Sequence, residues 1–112
     1  MAGSEDSRKQ SDEKAERRAA LSQISAYHQD QLRALLERVR SGFERLDAGD
    51  IDEFELDELI HHYKRSTVEL WKFCGYAGAS QLQTARMLSY LREEGREPDC
   101  WEAGASRRDR SQ

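Results

Sequence analysis

The chain is poor in the residues that punctuate or staple a fold: among its 112 residues are one proline, two cysteines and only 8% aromatics. Cys74 and Cys100 are too few and too far apart for a disulfide framework, so both are expected to be reduced. No apolar run approaches the roughly 18 residues needed to cross a bilayer. The stretch from Met1 to Lys14 is polar, mixed in charge and without the apolar segment of a signal peptide. The expectation is a cytoplasmic protein with no membrane role. A basic surplus is missing too. The net charge is −4 and the arginines interleave with acids instead of forming a stripe, so nucleic acid is not an expected partner. Few aromatics beside 36% charged residues leave a thin core in a single domain, which partners are expected to complete.

What is present is helical punctuation and apolar periodicity. Leu46-Asp47-Ala48-Gly49-Asp50-Ile51-Asp52-Glu53-Phe54-Glu55 compresses a helix stop and a helix start into a few residues. Gly49 suits the left-handed conformation that closes a helix. Asp52 can cap the next one, with Glu55 completing a capping box and Ile51 reaching Leu56 as a hydrophobic staple. Before this tip, a projection at about 100° per residue gathers Leu21, Ile24, His28, Leu32, Leu35, Val39, Phe43 and Leu46 in one sector. After it, Leu56, Leu59, Ile60, Tyr63, Thr67, Leu70, Trp71 and Cys74 do the same.

The spacing predicts an all-α chain: a disordered segment 1–13, helices at about 14–48, 53–74 and 80–94 within a helical domain 14–97, and a tail 98–112. A short connection forces the two long helices antiparallel, so that residues whose numbers sum to about 100 lie opposite each other and His28 falls near Trp71. Gly75-Tyr76-Ala77-Gly78 breaks the second helix, and Ser80 with Gln83 offers a capping box for the third. Gly95 and Pro98 stop that helix, Trp101 is expected to dock, and the last residues to be disordered. Phe54 and Val68 fall on the far side of the second helix and Phe73 on a flank, apolar surface that the hairpin itself cannot cover.

Candidate chemistry is thin. Between Glu44 and Glu58 stand eight acids and one base, and Asp47 and Glu58 have the outer spacing of an EF-hand. The third, fifth and sixth positions of that loop are Gly49, Ile51 and Asp52, where oxygen ligands and glycine are required, so the acids read as caps that complement the helix dipole. Glu58-Leu59-Ile60-His61 has the Glu-x-x-His spacing of di-iron bundles, but it occurs once and projects away from the apolar stripe. The glycines of Gly75–Ser80 precede a helix without a phosphate-binding lysine or a preceding strand and read as a linker. No catalytic residue, cofactor or metal is expected. The rival reading is a metal-dependent or thiol enzyme using His28, His61, His62 or Cys74.

Glu69-Leu70-Trp71-Lys72-Phe73-Cys74, followed by Glu97-Pro98-Asp99-Cys100-Trp101-Glu102, resembles a small uncharacterised actinobacterial helical family. The excess of Arg over Lys, 14 to 4, agrees with a GC-rich bacterial genome. Separately, the tip at Leu46–Ile51 and the helix after it are similar to the hairpin turn of the exodeoxyribonuclease VII small subunit. That resemblance implies a non-catalytic hairpin serving as the accessory subunit of a nuclease complex.

The function expected from the residues is a helical interaction or scaffolding protein. It is expected to form a homodimer completing a four-helix-like bundle, or to bind another protein. The candidate surface is Phe54, Val68 and Phe73 for affinity, with the acidic tip at Asp47, Asp50, Asp52 and Glu53 tuning association rate.

Overall fold

In the computed structural model, which describes residues 2–75 and 81–106 with side chains from residue 8 onward, the chain is all-α. The helices are α1 (Ala2–Asp47), α2 (Glu53–Cys74), α3 (Gln81–Glu93) and the single turn α4 (Cys100–Ala103). Among the described residues there is no strand, and no helix is long and apolar enough to cross a membrane.

The tip forms as its residues dictate. The Gly49 N–H donates to the Leu46 carbonyl at 3.0 Å and the Asp50 N–H to the Arg45 carbonyl at 2.9 Å, the two bonds of a Schellman closure. That closure needs a left-handed residue, and Gly49 supplies it with φ 79°. Two residues on, the Asp52 carboxylate accepts from the Glu55 N–H at 2.8 Å, while the Glu55 carboxylate accepts from the Asp52 N–H at 3.4 Å. This is the expected capping box.

So short a turn fixes the antiparallel register. The His28 ring meets Trp71 edge-on at 4.4 Å, and Tyr27 meets Phe73 with ring centres 5.5 Å apart. A methyl group on Gly42 would run into Leu59 and Leu56. All three encounters obey the register of about 100 set by the connection.

The expected start of α1 near residue 14 is corrected: the helix is continuous from Ala2, so the polar stretch read as unstructured extends it. Extension of an existing helix needs no new nucleus, and Ala, Glu, Lys, Arg and Gln are good helix formers. At 46 residues α1 is about 69 Å long, which accounts for the 73 Å extent of the molecule. With only 22 residues, α2 covers about half of it.

The third helix runs parallel to α1, since Gln23 Nε2 donates to Ser89 Oγ at 3.2 Å and the Arg92 guanidinium lies 5.5 Å from the Tyr27 ring centre. It stops where Gly95 was expected to stop it, with the Arg96 N–H donating to the Leu91 carbonyl at 2.7 Å. The chain then folds back so that α4, capped by Asp99, rests on α2. The expected Ser80 cap, the linker glycine Gly78 and the tail from Arg107 to Gln112 lie outside the described residues.

Several expected core positions are corrected. Leu21, Phe43 and Trp71 were placed on the inward stripes, yet each is about half exposed. The stripe is wider than the strip one partner helix can cover, and Leu21 also lies beyond the end of α2. Phe73 was placed on uncovered surface but is partly buried against the core beside Tyr27. Tyr27 and Ser66 lie off the expected stripes and are buried all the same, because α3 and α4 close over that side.

Gly104, the C-cap of α4, lies close against the backbone of α2 at Ser66. A Cβ on Gly104 would meet Ser66 Oγ and stand 2.5 Å from the Ser66 nitrogen and 2.6 Å from its Cα, so backbone must move. On Gly42 the nearest atoms a Cβ meets are side-chain atoms of Leu59 and Leu56, foremost their methyl ends. Gly104→Ala is therefore expected to cost about 1–3 kcal/mol of stability and Gly42→Ala clearly less, read from denaturant unfolding of the two variants beside the wild type.

Candidate functional site

The seam between α1 and α2 has heptad spacing. On α1, His28, Leu35 and Gly42 occupy d positions and Leu32, Val39 and Leu46 a positions. On α2, Leu56, Tyr63 and Leu70 occupy d, with Ile60, Thr67 and Cys74 at a. Because the helices run in opposite directions, their g flanks share one side of the hairpin and their e flanks the other.

Along Gln31 and Arg38 of α1 and Ser66 and Phe73 of α2 the g side is closed from within the chain, while Arg45 and Leu59, nearer the tip, line an open groove. Cys100 Sγ–H donates to Gln31 Oε1 at 3.9 Å, and the Trp101 indole is sandwiched between the His62 ring, stacked at 3.5 Å, and the Arg38 guanidinium at 4.4 Å. His62 Nε2–H donates to the Trp101 carbonyl at 2.7 Å, and Arg65 Nε–H donates to the Gly104 carbonyl at 2.7 Å. Trp101 is thus docked as expected. The residue whose role sequence reasoning missed is His62, named there only among the groups of a rival metal-dependent or thiol enzyme. Its partner lies 39 positions away, and no local pattern announces it.

The e side is different. It carries Leu36 and Phe43 from α1, each 49% exposed, and Asp57, Lys64 and Trp71 from α2, with Trp71 54% exposed. No described element packs over this row. Of the expected surface, Phe54 is 80% exposed and Val68 about half exposed, and both border the e flank on its α2 side. Leu36, Phe43 and Trp71 were not singled out as surface; their spacing alone assigned the last two to the core. At the tip, Asp47, Asp50, Asp52 and Glu53 are all exposed, and the Asp52 carboxylate is occupied by the cap it makes.

The candidate chemical groups do not converge. His61 Nδ1–H donates to the Asp57 carbonyl on its own helix at 2.7 Å, facing solvent. An open groove of about 650 Å³ beside it mixes both signs of charge, with Arg45, Glu55, Glu58 and Arg65 among its walls. Among the described residues, no three His, Cys, Asp or Glu side chains stand together as a metal site would require. His28 is buried at the seam, and burial lowers its pKa. Cys74 and Cys100 lie in one buried cluster, where burial first and then the neighbouring thiol push Cys74 up to about 11. That shift opposes the thiolate on which nucleophilic cysteines depend.

No family model, curated protein or solved structure matches the chain.

Two measurements follow from the buried groups. At pH 7.5 alkylation of Cys74 and Cys100 by iodoacetamide is expected to run at least about tenfold slower in the folded chain than in denaturant, because both thiols are shielded and protonated. His28 sets a pH dependence of opposite sense to a paired histidine. As pH falls through the ordinary histidine range, the unfolded chain takes up a proton that the folded chain resists, so stability falls. The urea midpoint should drop from pH 7.5 to 5.5, and His28→Gln should make that slope shallower.

Proposed function

We propose that this chain is a non-catalytic helical interaction protein and that the e flank of its hairpin is the surface it offers to a protein partner. The observation that carries this reading is the row of Leu36, Phe43 and Trp71, about half exposed on one side of a two-helix frame whose opposite side, away from the tip, is covered by α3 and α4. Apolar burial contributes roughly 25 cal/mol per Å², whereas an exposed charge pair gives at most about 1 kcal/mol, so this row sets affinity. Phe54 and Val68 widen it, and the acidic tip acts on association rate. A homodimer completing a four-helix bundle is the simplest assembly that covers such a flank. The accessory-subunit role suggested by the tip's resemblance would use the same flank on a larger chain.

The test compares cross-linking of the tagged full chain with that of the double variant Leu36→Glu, Phe43→Glu in extract of its own host. Partners, whether copies of the chain or another protein, are expected on the wild type and lost from the variant while its helical circular dichroism is kept. Equal cross-linking of both proteins overturns the assignment of the flank.

A further inference from the structure

The open flank is complementary to itself. Across the hairpin the register sets Phe43 opposite Asp57 and Leu36 opposite Lys64. Each helix therefore contributes one matched couple: two large apolar side chains on α1, and an acid and a base on α2. The members of each couple stand two helical turns apart, about 10 Å.

How a second copy meets this pattern depends on where the two-fold axis lies. An axis parallel to the helices lays α1 on the partner's α2 at the same level. That sets Phe43 against a carboxylate and Leu36 against an ammonium, desolvating charge on an apolar surface. An axis crossing the hairpin at right angles, midway between residues 36 and 43, lays α1 on α1 and α2 on α2, each pair antiparallel. Leu36 then meets the partner's Phe43. Because the two couples share the same levels, the same axis brings Asp57 to the partner's Lys64 and Lys64 to the partner's Asp57. One placement satisfies Leu36 and Phe43 together with Asp57 and Lys64, while Trp71 falls at the level of the partner's tip, outside these couples.

About this axis the two hairpins overlap from the tip back to about residue 32 on α1 and about residue 68 on α2, so two helices about 10 Å wide over about 24 Å share roughly 480 Å² per copy, the size of a weak, concentration-dependent contact. We infer that a second copy of this chain occupies the open flank, related by a two-fold axis that crosses the hairpin between Leu36 and Phe43 on α1 and between Asp57 and Lys64 on α2. This rests on the reading of the e flank as an interaction surface.

Sedimentation equilibrium of the full chain from about 1 to 100 μM tests it, over the range where weak dimers are concentration-dependent. A dimer is expected. Asp57→Lys and Lys64→Asp should each raise the dimer dissociation constant about tenfold by setting like charges face to face, and the double exchange should restore it. Within one helix these residues are two turns apart and do not touch, so rescue reports the contact between copies. Leu36→Glu should leave a monomer whose helical circular dichroism is intact. A monomeric wild type throughout overturns the second copy as occupant. The flank itself is then still supported if another protein cross-links to it in a Leu36- and Phe43-dependent way, and rejected if none does. A dimer indifferent to the single exchanges, or not rescued by the double one, overturns this axis.

Discussion

The turn from Ala48 to Asp52 is the constraint on which the rest of the molecule depends. Its Schellman closure and capping box end one helix and begin the next with almost no slack. The return path of α2 along α1 is therefore fixed to the residue. A looser connection would let α2 slide by a turn, and His28 would no longer meet Trp71 nor Tyr27 meet Phe73. The same register decides which side chains line each flank. Every later packing event, from the parallel docking of α3 to the seat of Trp101, uses a surface that this turn has already defined.

Docking of the tail shows how a single helical turn is held in place. Four residues in isolation do not form a stable helix. Here α4 is fixed by an indole placed between an imidazole and a guanidinium, by two carbonyls that accept from His62 and Arg65, and by a glycine that lets its backbone press against Ser66. These are directional contacts more than bulk apolar burial. They suit a small protein with few aromatics, since stacking and charge-assisted bonds fix position with little area. They also commit the part of the g flanks away from the tip, at Gln31, Arg38 and Ser66, to an intramolecular role.

The parts legible in the sequence are those fixed by short-range chemistry. Gly49, Asp52 and Glu55 announce the tip because closure and capping act within a few residues, and the tip in turn makes the antiparallel register readable. Failures occur where distant chain decides the outcome. Phe73 and Ser66 are covered by elements that no local pattern ties to them, and His62 is held by Trp101 far along the chain. Helical projection placed Phe43 and Trp71 inside because it measures the width of an apolar stripe and carries no information about how much of that width a partner helix covers. The N-terminal boundary failed for a thermodynamic reason: a polar stretch with nothing to bury still joins a helix already nucleated by its neighbour.

The two flanks of the seam differ in how well they are matched across the hairpin. On the g side, Gln31 and Arg38 meet Cys100 and Trp101, and Phe73 meets Tyr27, so polar and aromatic groups find suitable neighbours within the chain. On the e side, two levels set a large apolar group beside a charged one, Phe43 beside Asp57 and Leu36 beside Lys64, while Trp71 stands at the level of Gln29 and meets His28 edge-on. Neither member of such a pair satisfies the other: the apolar group gains little burial, and the charge keeps its water. That mismatch cannot be repaired by repacking within one hairpin, because the register that creates it is set by the turn. The proposed second copy, with the same flank turned end over end, would offer apolar groups to α1 and opposite charges to α2.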